Sequence, residues 1–281
     1  MITSNGNSRI RNIIQLNNSS KARHEQKVFT AEGIKMFMEA PCLRIREVFV
    51  SEELESKITD VIQGRAGHVD KDGSKDMESM IKLSDKLSKI QYETVSSNVF
   101  KHMADTVTPQ GIITVIEAEK RDTAKILELH DGGDLHILIL EGIQDPGNLG
   151  TMLRTAEGAG YDFILADRNT ADVYNPKVIR STMGSIFRVP VIYSSNLLKD
   201  IEGLKNAGIR IYAAHLKGEK TYDEAEYPGR MAVMIGNEGR GLSDDITNMA
   251  DECIRIPMKG QVESLNAAVA AALLMFGSSR A

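Results

Sequence analysis

The sequence is nearly without cysteine. Cys42 and Cys253 are its two thiols in 281 residues, and they stand in unrelated contexts. Neither has a partner at zinc-ligand or redox spacing. One disulfide between them stays open, but a reduced cytosolic protein is the better expectation. The six histidines, His24, His68, His102, His130, His136 and His215, are scattered, so no metal site is expected. No long hydrophobic run is present: the longest, Leu265 to Phe276, is too short to span a bilayer as a helix. The polar opening Met1–Gly6 lacks the apolar centre of a signal peptide. These absences point to a cytoplasmic chain. There is no G-x-x-x-x-G-K-[ST] loop for a nucleoside triphosphate and no G-x-S-x-G nucleophile elbow. Nor is there a large excess of one charge: the net value of −5 does not announce a nucleic-acid binder.

What is present suits a globular protein long enough for two domains, with 42% hydrophobic and 26% charged residues. The charge is unevenly distributed. The first fifty residues carry eight basic side chains (Arg9, Arg11, Lys21, Arg23, Lys27, Lys35, Arg44 and Arg46) against four acidic ones (Glu25, Glu32, Glu39 and Glu47). A basic end on an acidic chain can track a phosphate backbone, or it can be an ordinary solvated helix face.

Apolar periodicity predicts helix through residues 8–41, a strand at 46–50 and a helix at 52–66. A polar stretch, 67–79, reads as an exposed loop or insertion. A short helix at 96–103 and a strand at 111–116 complete a small α/β domain, 1–118. Residues 119–134 read as a linker, with a short helix at 123–129. From residue 135 the pattern sharpens. Apolar strands at 137–140, 163–166, 189–193, 209–213, 232–235 and 253–256 alternate with helices at 149–159, 175–183, 196–207, 243–249 and 264–277. That alternation predicts a parallel sheet covered on both faces in a second domain, 135–281. Ligands of such sheets bind at the carboxyl ends of the strands, so the loops there carry the chemistry.

Three of those loops stand out. The first, 141–156, opens a helix for which Asn148 is a suitable N-cap, with Arg154 six residues on as a candidate anion contact. The second, 235–243, holds three glycines in six residues (Gly236, Gly239 and Gly241), and Ser243 can cap the helix that follows. It is not a dinucleotide fingerprint, because Asp244 stands where the third glycine belongs. The third, 256–266, leads through Ser264 and Asn266 into an Ala-rich helix that should be buried. Taken singly, each has a plain structural explanation as a cap or a turn.

Taken together they resemble the three signature motifs of the SpoU/TrmH family of RNA methyltransferases. The matching text is Asn148-Leu149-Gly150-Thr151-Met152-Leu153-Arg154, then Ile235-Gly236-Asn237-Glu238-Gly239-Arg240-Gly241-Leu242, then Ile256-Pro257-Met258 with Ser264-Leu265-Asn266. The stretch 175–190 is similar to the family's segment between the first two motifs. Arg11–Leu16, Phe29–Gly33 and Pro109-Gln110-Gly111 look more loosely like its N-terminal substrate-binding module of ribosomal-protein-L30e-like fold.

The resemblance implies what periodicity cannot. The second domain should be an α/β trefoil knot of the SPOUT class, paired with a smaller L30e-like α/β domain. The reaction should be transfer of a methyl group from S-adenosylmethionine to a ribose 2′-hydroxyl, with no metal. Ala214, His215, Gly236, Asn237, Ile256, Met258 and Leu265 should surround the donor. Arg154 matches the catalytic arginine, with Asn148, Glu238, Ser264 and Asn266 as its companions. Arg9, Arg11, Lys21, Arg23, Arg180, Ser181 and Ser185 are candidate RNA contacts. The partners implied are RNA, ribosomal in preference to transfer RNA, and a second copy of the chain in a homodimer through the C-terminal domain. Two rivals remain at this point: a nucleotide-binding dehydrogenase, and an RNA-binding assembly protein that has lost catalysis.

Overall fold

The computed structural model describes residues 1–63, 65, 73–119, 123 and 132–279. The chain forms two compact units, Met1–Glu119 with Tyr174–Pro176, and Lys120–Val173 with Lys177–Ala281. Among the described residues no helix is long and apolar enough to cross a membrane. Cys42 and Cys253 are free thiols.

The first unit is a four-stranded sheet in the order β1 (Val28–Glu32), β4 (Ile112–Glu117), β2 (Ile45–Ser51), β3 (Glu93–Val95). Only the β2–β3 pair is parallel. Helices α1 (Ser8–Asn18), α2 (Ser20–Gln26) and α6 (Ser97–Met103) contribute to one apolar cluster, with Ile10, Ile13, Phe49, Val99 and Ile113. Helices α3 (Ile34–Glu39), α4 (Glu52–Ile62) and α5 (Gly73–Ser88) contribute to another, with Phe37, Val50, Leu54 and Leu83. Two expectations are corrected here. The helix predicted across 8–41 is interrupted, because Val28–Glu32 pairs antiparallel with Ile113–Glu117 as β1. Its β-branched and aromatic residues fit a buried ladder, and pairing with a distant strand overrides the apolar spacing. The expected loop at 67–79 is helical from Gly73, and Leu83 and Leu87 of the same helix are buried. The helix expected at 123–129 lies outside the described residues, apart from Thr123.

The second unit holds a seven-stranded, wholly parallel sheet in the order β7-β6-β5-β10-β8-β11-β9. The strands are β5 (Leu135–Leu140), β6 (Phe163–Ala166), β7 (Val191–Tyr193), β8 (Arg210–Ala214), β9 (Lys220–Thr221), β10 (Arg230–Ile235) and β11 (Glu252–Arg255). The central strands read as nearly continuous apolar runs because both faces are covered. Helices α9 (Leu197–Asn206) and α10 (Asp244–Thr247) pack Ile201, Leu204 and Ile246 into the core of one face. Helix α11 (Ala267–Ser278) packs against α7 (Pro146–Gly158) and β10. From β5 the chain winds outward to β6 and β7, then returns to build β8 and β10 on the other side. The direction therefore switches between β5 and β10, and the loops leaving those two strands open a crevice.

α11 is not buried all round, as its composition suggested. Ala268, Ala271, Leu274 and Met275 are buried, while Val269, Leu273 and Phe276 are 49%, 37% and 45% exposed. At spacings of four and three, those three side chains form a stripe along one face of the helix.

Candidate functional site

The loops leaving β5 and β10 are joined by one carboxylate. Glu238 accepts hydrogen bonds from the Gln144 and Asp145 amides at 3.2 and 3.0 Å and from the Asn148 side-chain amide at 3.1 Å. Asn148 Oδ1 accepts in turn from Asn266 Nδ2 at 3.0 Å. Asn266 Oδ1 caps α11 by accepting from the Ala268 and Val269 amides. One chain of hydrogen bonds therefore ties together three segments that are far apart in sequence. Burial pushes the Glu238 carboxyl up, but the Asp145 amide, the Asn148 side chain and the Gln144 amide outweigh it, leaving its pKa below the ordinary value.

Asn148 is not the cap of α7, contrary to expectation. Asp145 caps it, accepting from the Asn148 amide at 2.8 Å, and Pro146 takes the first helical position. Proline favours that position because its missing N–H would be unpaired there and its φ is already helical. That arrangement releases the Asn148 side chain for Glu238 and Asn266. The bond from the Asn148 amide, with Lys177 nearby, lowers the pKa of Asp145. Ser243 caps α10 as expected, accepting from the Ile246 amide.

The β10 loop is a closed turn. The Asn237 and Gly241 backbones bond reciprocally at 3.0 and 2.8 Å. Asn237 Oδ1 accepts from the Gly239 and Arg240 amides, and its Nδ2 donates to the Gly142 carbonyl at 2.7 Å. A Cβ at Gly236 would lie 2.1 Å from the Gly241 carbonyl carbon and the Leu242 nitrogen, so only glycine fits.

Beside this turn lies a cavity of about 350 Å³, large enough for a small organic ligand. All seven residues predicted to surround the donor line it: Ala214, His215, Gly236, Asn237, Ile256, Met258 and Leu265. Glu238 and Ser264 line it as well. Arg154 lies on α7, exposed, and among the described residues its side chain makes no hydrogen bond or ion pair. Sequence reasoning missed Lys217, Arg240 and Glu263, which also line the cavity. It also missed the Gln144 and Asp145 amides, for which no sequence signal exists. Among the described residues no group of three or more His, Cys, Asp or Glu could hold a metal.

The candidate RNA contacts divide. Arg11 and Lys21 are exposed. Arg23 is buried, and its Nη1 donates to the Leu16 carbonyl at 2.6 Å, so it ties down the end of α1 instead. Arg9 pairs with Glu47 at 2.8 Å and Glu93 at 3.2 Å, with its guanidinium over the Phe49 ring. Ser185 is buried. Ser181 sits on α8 (Pro176–Thr182) and packs against α7: a Cβ at Gly150 would lie 2.4 Å from Ser181 Cβ. Its hydroxyl donates to the Lys177 carbonyl. Arg180, on the same helix, is half-buried.

Comparison with known proteins agrees with this geometry. Residues 135–276 match the model of the SpoU rRNA Methylase family, and residues 7–114 match that of the MRM3-like substrate binding domain. The 23S rRNA (guanosine(2553)-2′-O)-methyltransferase RlmP of Bacillus subtilis is 37% identical over 69% of this chain and 74% of its own. The AdoMet-bound rRNA methyltransferase structure from Sinorhizobium meliloti aligns with a TM-score of 0.80 at 26% identity, covering 99% of this chain and 97% of that one. The structure of a putative RNA methyltransferase of the TrmH family from Porphyromonas gingivalis aligns with a TM-score of 0.74 at 28% identity, covering 100% of this chain and 99% of that one. The conjunction of the three-loop hydrogen-bond chain, the cavity and these matches leads to one conclusion: the chain belongs to the SpoU rRNA methylase family.

Proposed function

We propose that this protein transfers the methyl group of S-adenosylmethionine to a ribose 2′-hydroxyl in ribosomal RNA. The observation that carries the reading is the Glu238–Asn148–Asn266 chain, which ties the helix bearing Arg154 to two loops whose residues Glu238, Ser264 and Leu265 line the cavity. The lining fits the donor. Leu242, Ile256, Leu265 and Leu274 offer an apolar wall to a purine, and polar groups stand at His215, Asn237 and Arg240. When bound, S-adenosylmethionine supplies an activated methyl group on sulfur.

The protein's part is alignment and charge control. The Asn237 turn and the Gly236 contact fix the cavity wall. Glu238 and Asn148 hold the start of α7, and with it the helix that carries Arg154. A guanidinium keeps its charge in proteins, so Arg154 acts as a cation. It holds the phosphate next to the acceptor ribose and stabilises the negative charge that develops on the 2′-oxygen. The hydroxyl proton passes to phosphate or water. Ser264 and Asn266 support the acceptor side. Arg11, Lys21 and Arg180 are the RNA contacts retained from the sequence reading.

Three further features belong to the same reading. The exposed stripe of Val269, Leu273 and Phe276 on α11 supports a homodimer through the second unit. A trefoil knot in the second unit is the expectation that the family resemblance carries. The place of action is the cytoplasm, where ribosomal RNA is available.

The test incubates the full chain with methyl-labelled S-adenosylmethionine and separate pools of unmodified ribosomal and transfer RNA. Ribose label in the ribosomal pool is expected. Arg154→Ala should lower it by at least about a hundredfold while leaving donor affinity unchanged. Label in transfer RNA alone would reassign the substrate. No label despite measured donor binding would favour an RNA-binding protein without catalysis.

A further inference from the structure

We infer that the mouth of the cavity is a subsite for the amino-acid end of the methyl donor, with Lys217 and Arg240 receiving its carboxylate and Glu263 its ammonium. The inference rests on the donor reading above and goes beyond it by naming the side chains that select a zwitterion.

Six ionisable side chains line the cavity: His215, Lys217, Glu238, Arg240, Arg255 and Glu263. Three are already committed within the protein. Glu238 is taken by Gln144, Asp145 and Asn148. Arg255 Nη1 donates to the Gly218 and Glu219 carbonyls, both at 2.6 Å. His215 Nδ1 accepts from the Lys217 amide at 3.2 Å. The other three, Lys217, Arg240 and Glu263, are exposed, and among the described residues their side chains make no hydrogen bond or ion pair. Two cations and one anion thus line one cavity uncommitted.

The turns that carry the two cations are rigid before any ligand arrives. Arg240 sits in the turn closed by Asn237 and Gly241, and its own amide donates to Asn237 Oδ1 at 3.2 Å. Lys217 sits in the turn closed by the Gly218 amide on the His215 carbonyl at 3.0 Å. Gly218 is wedged against the Cys253–Arg255 backbone, where a Cβ would lie within 2.9 Å of three atoms. Fixed backbones reduce the ordering cost of binding, which favours ion recognition at these positions. Much of the remaining wall is apolar, with Leu242, Ile254, Ile256, Leu265 and Leu274. A charged amino-acid end would be poorly solvated there, so a ligand with a flat apolar half and a zwitterionic half is oriented in one sense.

The test is calorimetric binding of S-adenosylmethionine and of its decarboxylated form to the full chain and to Lys217→Gln, Arg240→Gln and Glu263→Gln. The wild type should bind the decarboxylated form at least about tenfold more weakly, the scale of one lost charge-assisted contact. Arg240→Gln and Lys217→Gln should weaken S-adenosylmethionine by a similar factor and should not weaken the decarboxylated form. Glu263→Gln should weaken both, since both keep the ammonium, and should spare 5′-methylthioadenosine, which lacks the amino-acid end. Equal binding of the two forms by the wild type would overturn the subsite and leave the donor site standing. So would cation variants that change the KM for RNA but no donor affinity. If the wild type binds none of these ligands, the donor reading itself falls.

Discussion

At the residue scale, the site depends on a carboxylate that is used as an acceptor. Glu238 receives two backbone amides and the side-chain amides of Asn148 and Asn237, and hydrogen bonding holds its pKa below the ordinary value despite partial burial. The sign follows from linkage. A depressed carboxyl stabilises the folded loop fully above its unfolded pKa and loses that contribution as pH falls through the folded value. Glu238→Gln should therefore lower the melting temperature at neutral pH, and the difference from wild type should vanish in acid. Melting curves across pH would show it, and a pH-independent difference would contradict the assignment. Methyl transfer by Glu238→Gln should fall by about tenfold or more, the scale for losing a partner that orients a functional group. Gly236 is constrained differently. A Cβ there meets backbone at 2.1 Å, which cannot move without reopening the Asn237–Gly241 turn. Gly236→Ala should fold yet lose donor affinity by more than about tenfold, since overpacking of this kind costs about 1–3 kcal/mol. Calorimetry with S-adenosylmethionine checks it.

At the element scale, the approach of α8 to α7 sets where the Arg154 helix lies. A Cβ at Gly150 would meet Ser181 Cβ at 2.4 Å and the Val178 carbonyl at 2.9 Å. Both obstacles belong to a packed helix and not to a flexible side-chain end. Gly150→Ala should therefore push the helices apart, destabilise the protein by about 1–3 kcal/mol and reduce turnover. Denaturant unfolding together with turnover would separate this from a purely local effect; unchanged stability would show that α8 yields. Gly150-to-Ser181 packing was not legible in the sequence, where Ser181 read as a phosphate contact. Likewise the cap of α7 went to Asp145 because Asp-Pro is the stronger helix start. The Asp145-Pro146 pair carries that signal in the sequence, and Asn148 is a second residue of a type that caps well three positions on.

At the scale of the whole molecule, the exposed stripe on α11 is the feature the proposed dimer would cover. Val269, Leu273 and Phe276 lie on the same helix whose other face packs on α7 and β10. A charge at the middle of that stripe would be buried unpaired in the dimer and solvated in the monomer. Leu273→Asp should therefore weaken association by at least about tenfold without unfolding the chain. Sedimentation velocity at micromolar concentration reads this directly. A wild type that sediments as a monomer would remove the dimer proposal.

The sequence by itself determined the parallel sheet, because strands covered on both faces must be apolar at nearly every position, as in Leu135–Leu140 and Met231–Ile235. It also determined which loops matter, because the glycines, caps and polar residues that shape them are local in the chain. It did not determine β1, since Val28–Glu32 becomes a strand only by pairing with Ile113–Glu117, more than eighty positions away. Nor could it separate Arg23, buried on the Leu16 carbonyl, from the exposed Arg11, because the same side chain serves either end depending on what packs around it. The meeting of Asn148, Glu238 and Asn266 was decided only by the tertiary structure. Strand order brings the ends of β5 and β10 together at the switch point, and a hydrogen bond across it spans 90 positions of sequence.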